Sequence, residues 1–508
     1  RHEKDYPEPL KYLGWCTWEQ YRKHIDEGIL LGALDGIENS GVPVRWFLID
    51  DGHQVDRGKT LKMKSMEPDP KKFPRGWDPI IARKDEDQVK WIGIWHGFMT
   101  HWQGVHVDHD MPYFAPYMMP NPKDQNGLLP KDNQADSQAF FNAFMGVIKE
   151  QGFDFLKTDN VSRSTLLYDG SENPARAQMF NVRSLERACQ ELGLGLMNCS
   201  AQNTIGLLNA TYSATMRTSP DYKQGKPRSS KSQILQSVFN VSWLGQTLWP
   251  DHDMFHSSDQ AVGAAMAVTK AMSGGPIYLS DAPDDFNQEI ILPLCYRDGL
   301  LLRPAAPGVP LPESVFTDAL YHDTSAYKVI APLNDQACAV AAYNLSLNHQ
   351  ATVSGVLSPE DYPHGSSMLQ PYPGLWEVPA EGLVAYDWYE QTGKKLGQAG
   401  WAFDIAGLGH KLFLLAPIHH GWAMIGRPDK YLSPATTEIV ARKKDSITFK
   451  MHEPAPIIIY SENGTPRSNS MAFQAMGDGF YAASFTKLPK SGSEVLVQLK
   501  ADQKSTLE

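Results

Sequence analysis

GFDFLKTDN, at residues 152–160, is a short apolar run that stops abruptly on Thr158, Asp159 and Asn160. A helix-period stripe precedes it (Phe140, Phe141, Phe144, Val147, Ile148), ended by Gly152. A second stripe follows it, through Met179, Val182, Leu185, Cys189 and Leu192. Apolar residues at three- and four-residue spacing indicate amphipathic helices, and the brief run between them indicates a buried strand. The pattern extends in both directions. Strands are predicted at 13–16, 45–49, 91–95, 153–157, 195–197, 214–217, 246–249 and 277–279. Ile25, Ile29, Ala33 and Ile37 stripe a helix that Gly41-Val42-Pro43 ends, and another helix is expected at about 258–272. Eight strand–helix units in about 290 residues predict an α/β fold, a (β/α)8 TIM barrel. A doubly wound sheet usually has fewer strands, and no G-x-G-x-x-G follows the first strand here.

Beyond Arg303, Pro304, Pro307, Pro310 and Pro312 mark a boundary. Short alternating runs follow at 337–343, 382–387, 411–417, 446–451 and 457–460, separated by turn residues. They predict a C-terminal all-β sandwich. The expected domains are a catalytic barrel at 1–305 and a β-sandwich at 306–508. The 47 Lys and Arg against 58 Asp and Glu leave a net charge of −11 across 508 residues. That balance argues against a nucleic-acid partner and against a polybasic membrane patch. No apolar run is long enough for a transmembrane helix, so a soluble protein is expected. Arg1 to Pro9 do not read as a signal peptide. The compartment stays open, a secreted or periplasmic setting of bacterial type being favoured over the cytoplasm. Oligomeric state also stays open. Five scattered cysteines, none in C-x-x-C spacing, give no disulfide framework or zinc knuckle.

A barrel places its chemistry just past the carboxyl ends of its strands. Polar residues stand there: Asp50 and Asp51, His96, Lys157 and Asp159, Cys199, Arg217 and Asp221, Asp251 and Asp253, and Asp281. Strand side chains alternate, so Lys157 and Asp159 face the same way, and the ammonium is expected to keep Asp159 ionised, as suits a nucleophile. Asp221, four residues beyond Arg217, is the candidate proton donor, for which a raised pKa is expected. Two carboxyls in unlike environments form the acid/base kit of glycoside hydrolysis. Asp50 and Asp51 suit sugar hydroxyls. Asp251-His252-Asp253 and His106 with His109 are weaker metal candidates without recognisable ligand spacing, so no metal and no cofactor are expected.

LGWCTWEQY (13–21), RWFLIDDGHQ (45–54), WIGIWHGFMTHWQGV (91–105), GFDFLKTDN (152–160), RTSPDY (217–222), WPDHDMFHS (249–257) and GGPIYLSDAP (274–283) occur in this order. Together they resemble the raffinose synthase, seed imbibition protein and alkaline α-galactosidase branch of glycoside hydrolase family 36. The resemblance implies a retaining hydrolase acting on terminal α-linked galactose of oligosaccharides or other α-glycosides. It implies Asp159 as nucleophile, Asp221 as acid/base, and Asp50 and Asp51 on the sugar's 4- and 6-hydroxyls. It also implies Lys157 at the 3- and 4-hydroxyls, Arg217 and Cys199 near the 2-hydroxyl, and Trp15 and Trp95 as wall residues; His96, at its strand end, is a further candidate for the substrate site. The family usually carries an N-terminal β-sandwich as well. Pro220, His53, Asn160 and residues 198–203 depart from the branch's usual words. The alternatives are galactosyl transglycosylation, a glycone such as α-glucose or α-N-acetylgalactosamine, and a non-catalytic sugar-binding relative.

Overall fold

The computed structural model describes residues 1–57, 59–369 and 374–499. Eight parallel strands form the barrel: β1 (Gly14–Cys16), β2 (Trp46–Ile49), β3 (Trp91–Gly97), β4 (Phe155–Asp159), β5 (Gly195–Asn198), β6 (Thr215–Arg217), β7 (Trp249–Asp251) and β8 (Tyr278–Leu279). Each pairs with the next as far as β7, and β8 pairs with β1. The ring closes through one parallel bridge between Phe255 and Leu279. There Phe255 N–H donates to the Tyr278 carbonyl at 3.3 Å, and Ser280 N–H to the Phe255 carbonyl at 2.9 Å. The predicted TIM barrel is therefore observed, with shifted boundaries. β4 runs two residues further than expected, so Asp159 is itself a strand residue. β7 starts at Trp249 rather than 246, because Thr247 and Leu248 bond back to the Leu244 carbonyl at the end of a helix.

The helices lie outside the ring: α1 (Glu27–Asn39), α2 (Gln134–Glu150), α3 (Pro174–Leu192), α4 (Pro227–Leu244) and α5 (Gly263–Ala271). Side chains cap the first three: Asp26 accepts from Ile29 N–H, Asn133 from Asp136 N–H and Asn173 from Arg176 N–H. Each satisfies a donor that has no partner within the helix. None of the helices in the described residues is long and apolar enough to cross a membrane.

Cys16, Trp46, Leu48, Phe155, Met197, Met254 and Tyr278 fill the barrel interior. Two glycines make room for the largest of them. A Cβ on Gly14 would lie 2.0 Å from the Trp46 indole, and one on Gly93 would lie 2.2 Å from the Phe155 ring. On the helix side of β3, His53, His96 and His101 are buried. His96 packs edge-on against Phe144 of α2 at 5.3 Å and against His53 at 5.2 Å. Burial lowers all three imidazoles, His53 to about 4 and His101 to about 3.

The region after Val309 is antiparallel. A six-stranded sheet (Val309–Pro310, Tyr327–Pro332, Cys338–Tyr343, His410–Pro417, Leu383–Asp387, Thr392–Leu396) faces a two-stranded one (Thr352–Leu357, Trp401–Ala406). Ile330, Val340, Val353 and Phe413 pack between them. Two four-stranded sheets then enclose a separate core of Trp422, Phe449, Ile459 and Val497. All five predicted runs are strands, and the β region consists of two successive packed pairs of sheets. The main apolar core is continuous from Leu34, Phe47 and Phe144 to Val329, Leu414 and Phe480, which ties the β region to the barrel.

Two stability predictions follow from this packing. Gly93→Ala should cost about 1–3 kcal/mol, the usual penalty of overpacking; an unchanged midpoint in a denaturant titration would contradict the close approach of Phe155. The three histidines have folded pKa values below the unfolded value of about 6.5. Their stabilising contribution is therefore complete above that pH and is lost as pH falls toward 4. The thermal midpoint should drop between pH 7.5 and 4.5. His101→Asn keeps an acceptor for Trp102 N–H, which the imidazole now receives at 2.7 Å. It should show a smaller drop, and an equal drop would contradict the assignment.

Candidate active site

Trp46 and Phe155 on the barrel floor set which residues face the axis, because every second residue above them points the same way. On β4 these are Lys157 and Asp159, and beyond β2 it is Asp50. By the same parity Trp95 faces the axis from β3, Cys199 lies two residues above Met197, and Arg217 ends β6. The register aligns Trp95 with Lys157 and Gly97 with Asp159. Asp159 is held at both oxygens. Trp95 Nε1–H donates to Oδ2 at 3.2 Å, and Asn160 N–H donates to Oδ1 at 2.6 Å. Asn160 itself sits at φ +66°. Thr100, Ser200 and Asp253, past the ends of β3, β5 and β7, are likewise non-glycine residues with positive φ. Such strain concentrates where a fold must aim side chains.

The adjacent acids Asp50 and Asp51 are tolerated because different cations hold them. Lys157 Nζ sits 2.7 Å from Asp50 Oδ2, with both side chains buried. Asp51 N–H and Cys16 Sγ complete the shell of Asp50, at 2.8 Å and 3.4 Å. Burial lifts the Asp50 carboxyl, and Asp50 in turn keeps the buried Lys157 charged. Asp51 takes both Nε and Nη2 of Arg57, at 2.7 and 2.6 Å, and Nε1 of Trp102 at 3.0 Å. Burial alone would raise it, but these donors hold it below the ordinary carboxylate range.

Arg217 organises the opposite wall. Its Nη2 lies 2.6 Å from Asp221 Oδ1, its Nη1 2.8 Å from Asp253 Oδ1, and Nη1 also donates to Cys199 Sγ at 3.4 Å. The Asp221 side chain is 45% exposed, whereas that of Asp253 is fully buried. Burial pushes the Cys199 thiol well up, and the charges of Asp159 and Asp221 both add to that rise. The thiol thus stands beside Arg217, at the strand ends from which both acids project, and feels the charge of each. Beside it, an open groove of about 530 Å³ is lined by Trp102, Asn160, Arg163, Gln202, Pro220 and Asn240.

Several expectations need correcting. Trp15 is not in the cup. Parity sends Cys16 inward and Trp15 outward, where it is fully buried, stacks on Phe47 at 5.0 Å and donates to the Asp281 carbonyl. His96 likewise points into the helix layer, one residue out of phase with Trp95. Lys157 shares its face with Asp159 but pairs with Asp50. Asp221, expected to have a raised pKa, has a lowered one. Burial raises it, but the Arg217 guanidinium and the Lys157 ammonium outweigh burial. Arg57 and Trp102 were not foreseen, since loop residues carry no periodic signal. Among the described residues no three His, Cys, Asp or Glu side chains converge as metal ligands. His106 and His109 each accept a nearby backbone N–H, and His252 bonds the Thr269 carbonyl. The cup thus combines a carboxylate held at both oxygens, a second carboxyl paired with an arginine, and a wall of acids and cations able to hold a polyol.

The family model described as raffinose synthase or seed imbibition protein Sip1 matches residues 1–72 and 175–349. The Arabidopsis thaliana protein named "Probable galactinol–sucrose galactosyltransferase 6" is 26% identical over 366 residues, 65% of this chain and 48% of that protein. A galactinol–sucrose galactosyltransferase of Pisum sativum is 22% identical over 400 residues, 67% of this chain and 50% of that one. The chain thus spans about half the length of the curated relatives it matches. Among solved structures, α-galactosidase I of Mortierella vinacea aligns with a TM-score of 0.54 at 15% identity, over 81% of this chain and 98% of its own. A Geobacillus stearothermophilus GH27 β-L-arabinopyranosidase aligns with a TM-score of 0.56 at 14% identity, over 81% and 100%. At these identities the two structures speak for the fold. The resemblance seen in the motifs therefore holds: this chain is related to the raffinose synthase and seed imbibition protein family.

Proposed function

We propose that this chain is a retaining enzyme acting on terminal α-linked galactose, by double displacement through a covalent galactosyl-enzyme. In this reading Asp159 attacks the anomeric carbon while Asp221 protonates the departing glycosidic oxygen. Asp221 then takes a proton from the incoming hydroxyl as the Asp159 ester is released. The observation that carries the reading is the pair of carboxyls in unlike settings at the same end of the barrel, Asp159 held at both oxygens by uncharged donors and Asp221 paired with the Arg217 guanidinium.

Arg217 holds Asp221 ionised, the form required by the second half-reaction. The first half requires it protonated, and a neutral sugar covering the carboxyl strengthens the burial that raises it. Asp50, Asp51, Lys157 and Trp95 form the sugar-binding wall, with Cys199 and Arg217 on the other side. The acceptor is either water or a second sugar. Two observations support the sugar: the matched relatives are named galactosyltransferases, and the polar groove at Trp102, Asn160 and Gln202 adjoins Asp221.

Asp159→Asn should lower kcat on an aryl α-galactoside by about 10³-fold or more. Asp221→Asn should cost about 10²–10⁴-fold on an unactivated galactoside, and much less on a dinitrophenyl one. Wild-type turnover surviving in Asp159→Asn would exclude that residue as nucleophile. Product analysis with and without sucrose separates transfer from hydrolysis, and turnover of α-glucosides in place of α-galactosides would refute the glycone.

A further inference from the structure

One arginine in the cup serves two carboxylates, and the second has no part in the reaction proposed above. Asp253 is fully buried beneath Asp221. Its Oδ1 lies 2.8 Å from Arg217 Nη1, while the other terminal nitrogen of that guanidinium holds Asp221. Its Oδ2 accepts from the backbone N–H of Tyr222 at 2.6 Å, the residue directly after Asp221. Asp253 is itself fixed. Its N–H donates to Asp251 Oδ1 at 2.7 Å, the Tyr278 hydroxyl is 3.4 Å from its Oδ1, and its backbone is held at φ +70°. A residue bonded both to the arginine and to the base of the Asp221 loop can control both the place and the charge of Asp221.

We propose that Asp253 is a positioning residue that tunes the proton affinity of Asp221 by competing with it for Arg217. The inference rests on the reading of Asp221 as acid/base. A single guanidinium balances one negative charge. When Asp253 is ionised, Arg217 is divided and Asp221 accepts a proton more readily. When Asp253 is neutral, Arg217 serves Asp221 alone and holds it ionised. The other groups around Asp253 are Asp251 on β7, Tyr278 on β8, Lys157 on β4, the Cys16 thiol on β1 and Lys270 on α5. Lys270 is anchored on the His252 carbonyl at 2.8 Å. Burial, only partly offset by Arg217, lifts Asp253 to about 6, so its charge is adjustable near neutrality.

The general acid must be protonated in the substrate complex, where the covering sugar raises Asp221, so kcat on a galactoside with a poor leaving group falls as pH rises through the pKa of Asp221 in that complex. Asp253→Asn should move this basic limb down by about one pH unit, the scale of a neighbouring-charge effect. The dinitrophenyl galactoside, whose departure needs no proton, should keep kcat within a few-fold. Tyr278→Phe removes a donor from the Asp251–Asp253 pair and favours protonated Asp253. It should move the limb the same way by less, giving a second route should Asp253→Asn fail to fold. A purely structural Asp253 would depress both substrates equally and leave the limb unmoved, and that result would overturn the proposal. Failure of the wild type to turn over any galactoside would overturn the acid/base reading itself, and this proposal with it.

Discussion

Carboxylates can crowd one end of this barrel only because cations are interleaved among them. Asp50 rests on Lys157, Asp51 on Arg57, and Asp221 with Asp253 on Arg217. For the fully buried pairs, Lys157 with Asp50 and Arg217 with Asp253, removing one partner typically costs about 3–5 kcal/mol, because the survivor is left charged and unpaired. The same pairing limits how these acids can serve a substrate. Asp51 already accepts three hydrogen bonds from Arg57 and Trp102. A sugar hydroxyl there must use the remaining acceptor capacity or displace the indole.

The pairing also separates Asp159 from the other acids. Its donors are a neutral indole and a backbone N–H, and neither brings a formal charge. Its geometry is fixed from both sides without a cation bound to it. Asp221 has the opposite environment: exposed, on a loop, and bound to a shared arginine. Preorganised donors around a reacting carboxylate need no rearrangement at the moment of reaction, which is where electrostatic catalysis gains most.

Much of this was legible in the order of residues. The alternation of apolar runs and helical stripes carried the barrel, and the abrupt polar stops carried the end at which chemistry would sit. Parity correctly put Lys157 and Asp159 on one face. Parity also puts Trp15 and His96 on the other, but using it needs to know which residue of each strand faces the axis. Packing fixes that phase: Trp46 and Phe155 fill space left by Gly14 and Gly93, contacts between residues far apart in the chain. Partner choice is non-local for the same reason. The neighbour of Lys157 in sequence is Asp159, but its neighbour in space is Asp50. The lowered pKa of Asp221 followed from the same R-x-x-x-D spacing that drew attention to it, because the arginine four residues earlier reaches its carboxylate.

The most direct measurement is to trap the intermediate. Incubation with a 2-deoxy-2-fluoro-α-galactosyl donor, followed by intact-mass and peptide mass spectrometry, should show one fluorogalactosyl group on the peptide containing Lys157, Thr158 and Asp159, attached at Asp159. A label on a different carboxylate, or no label from a turning-over enzyme whose product has inverted configuration, would contradict the account.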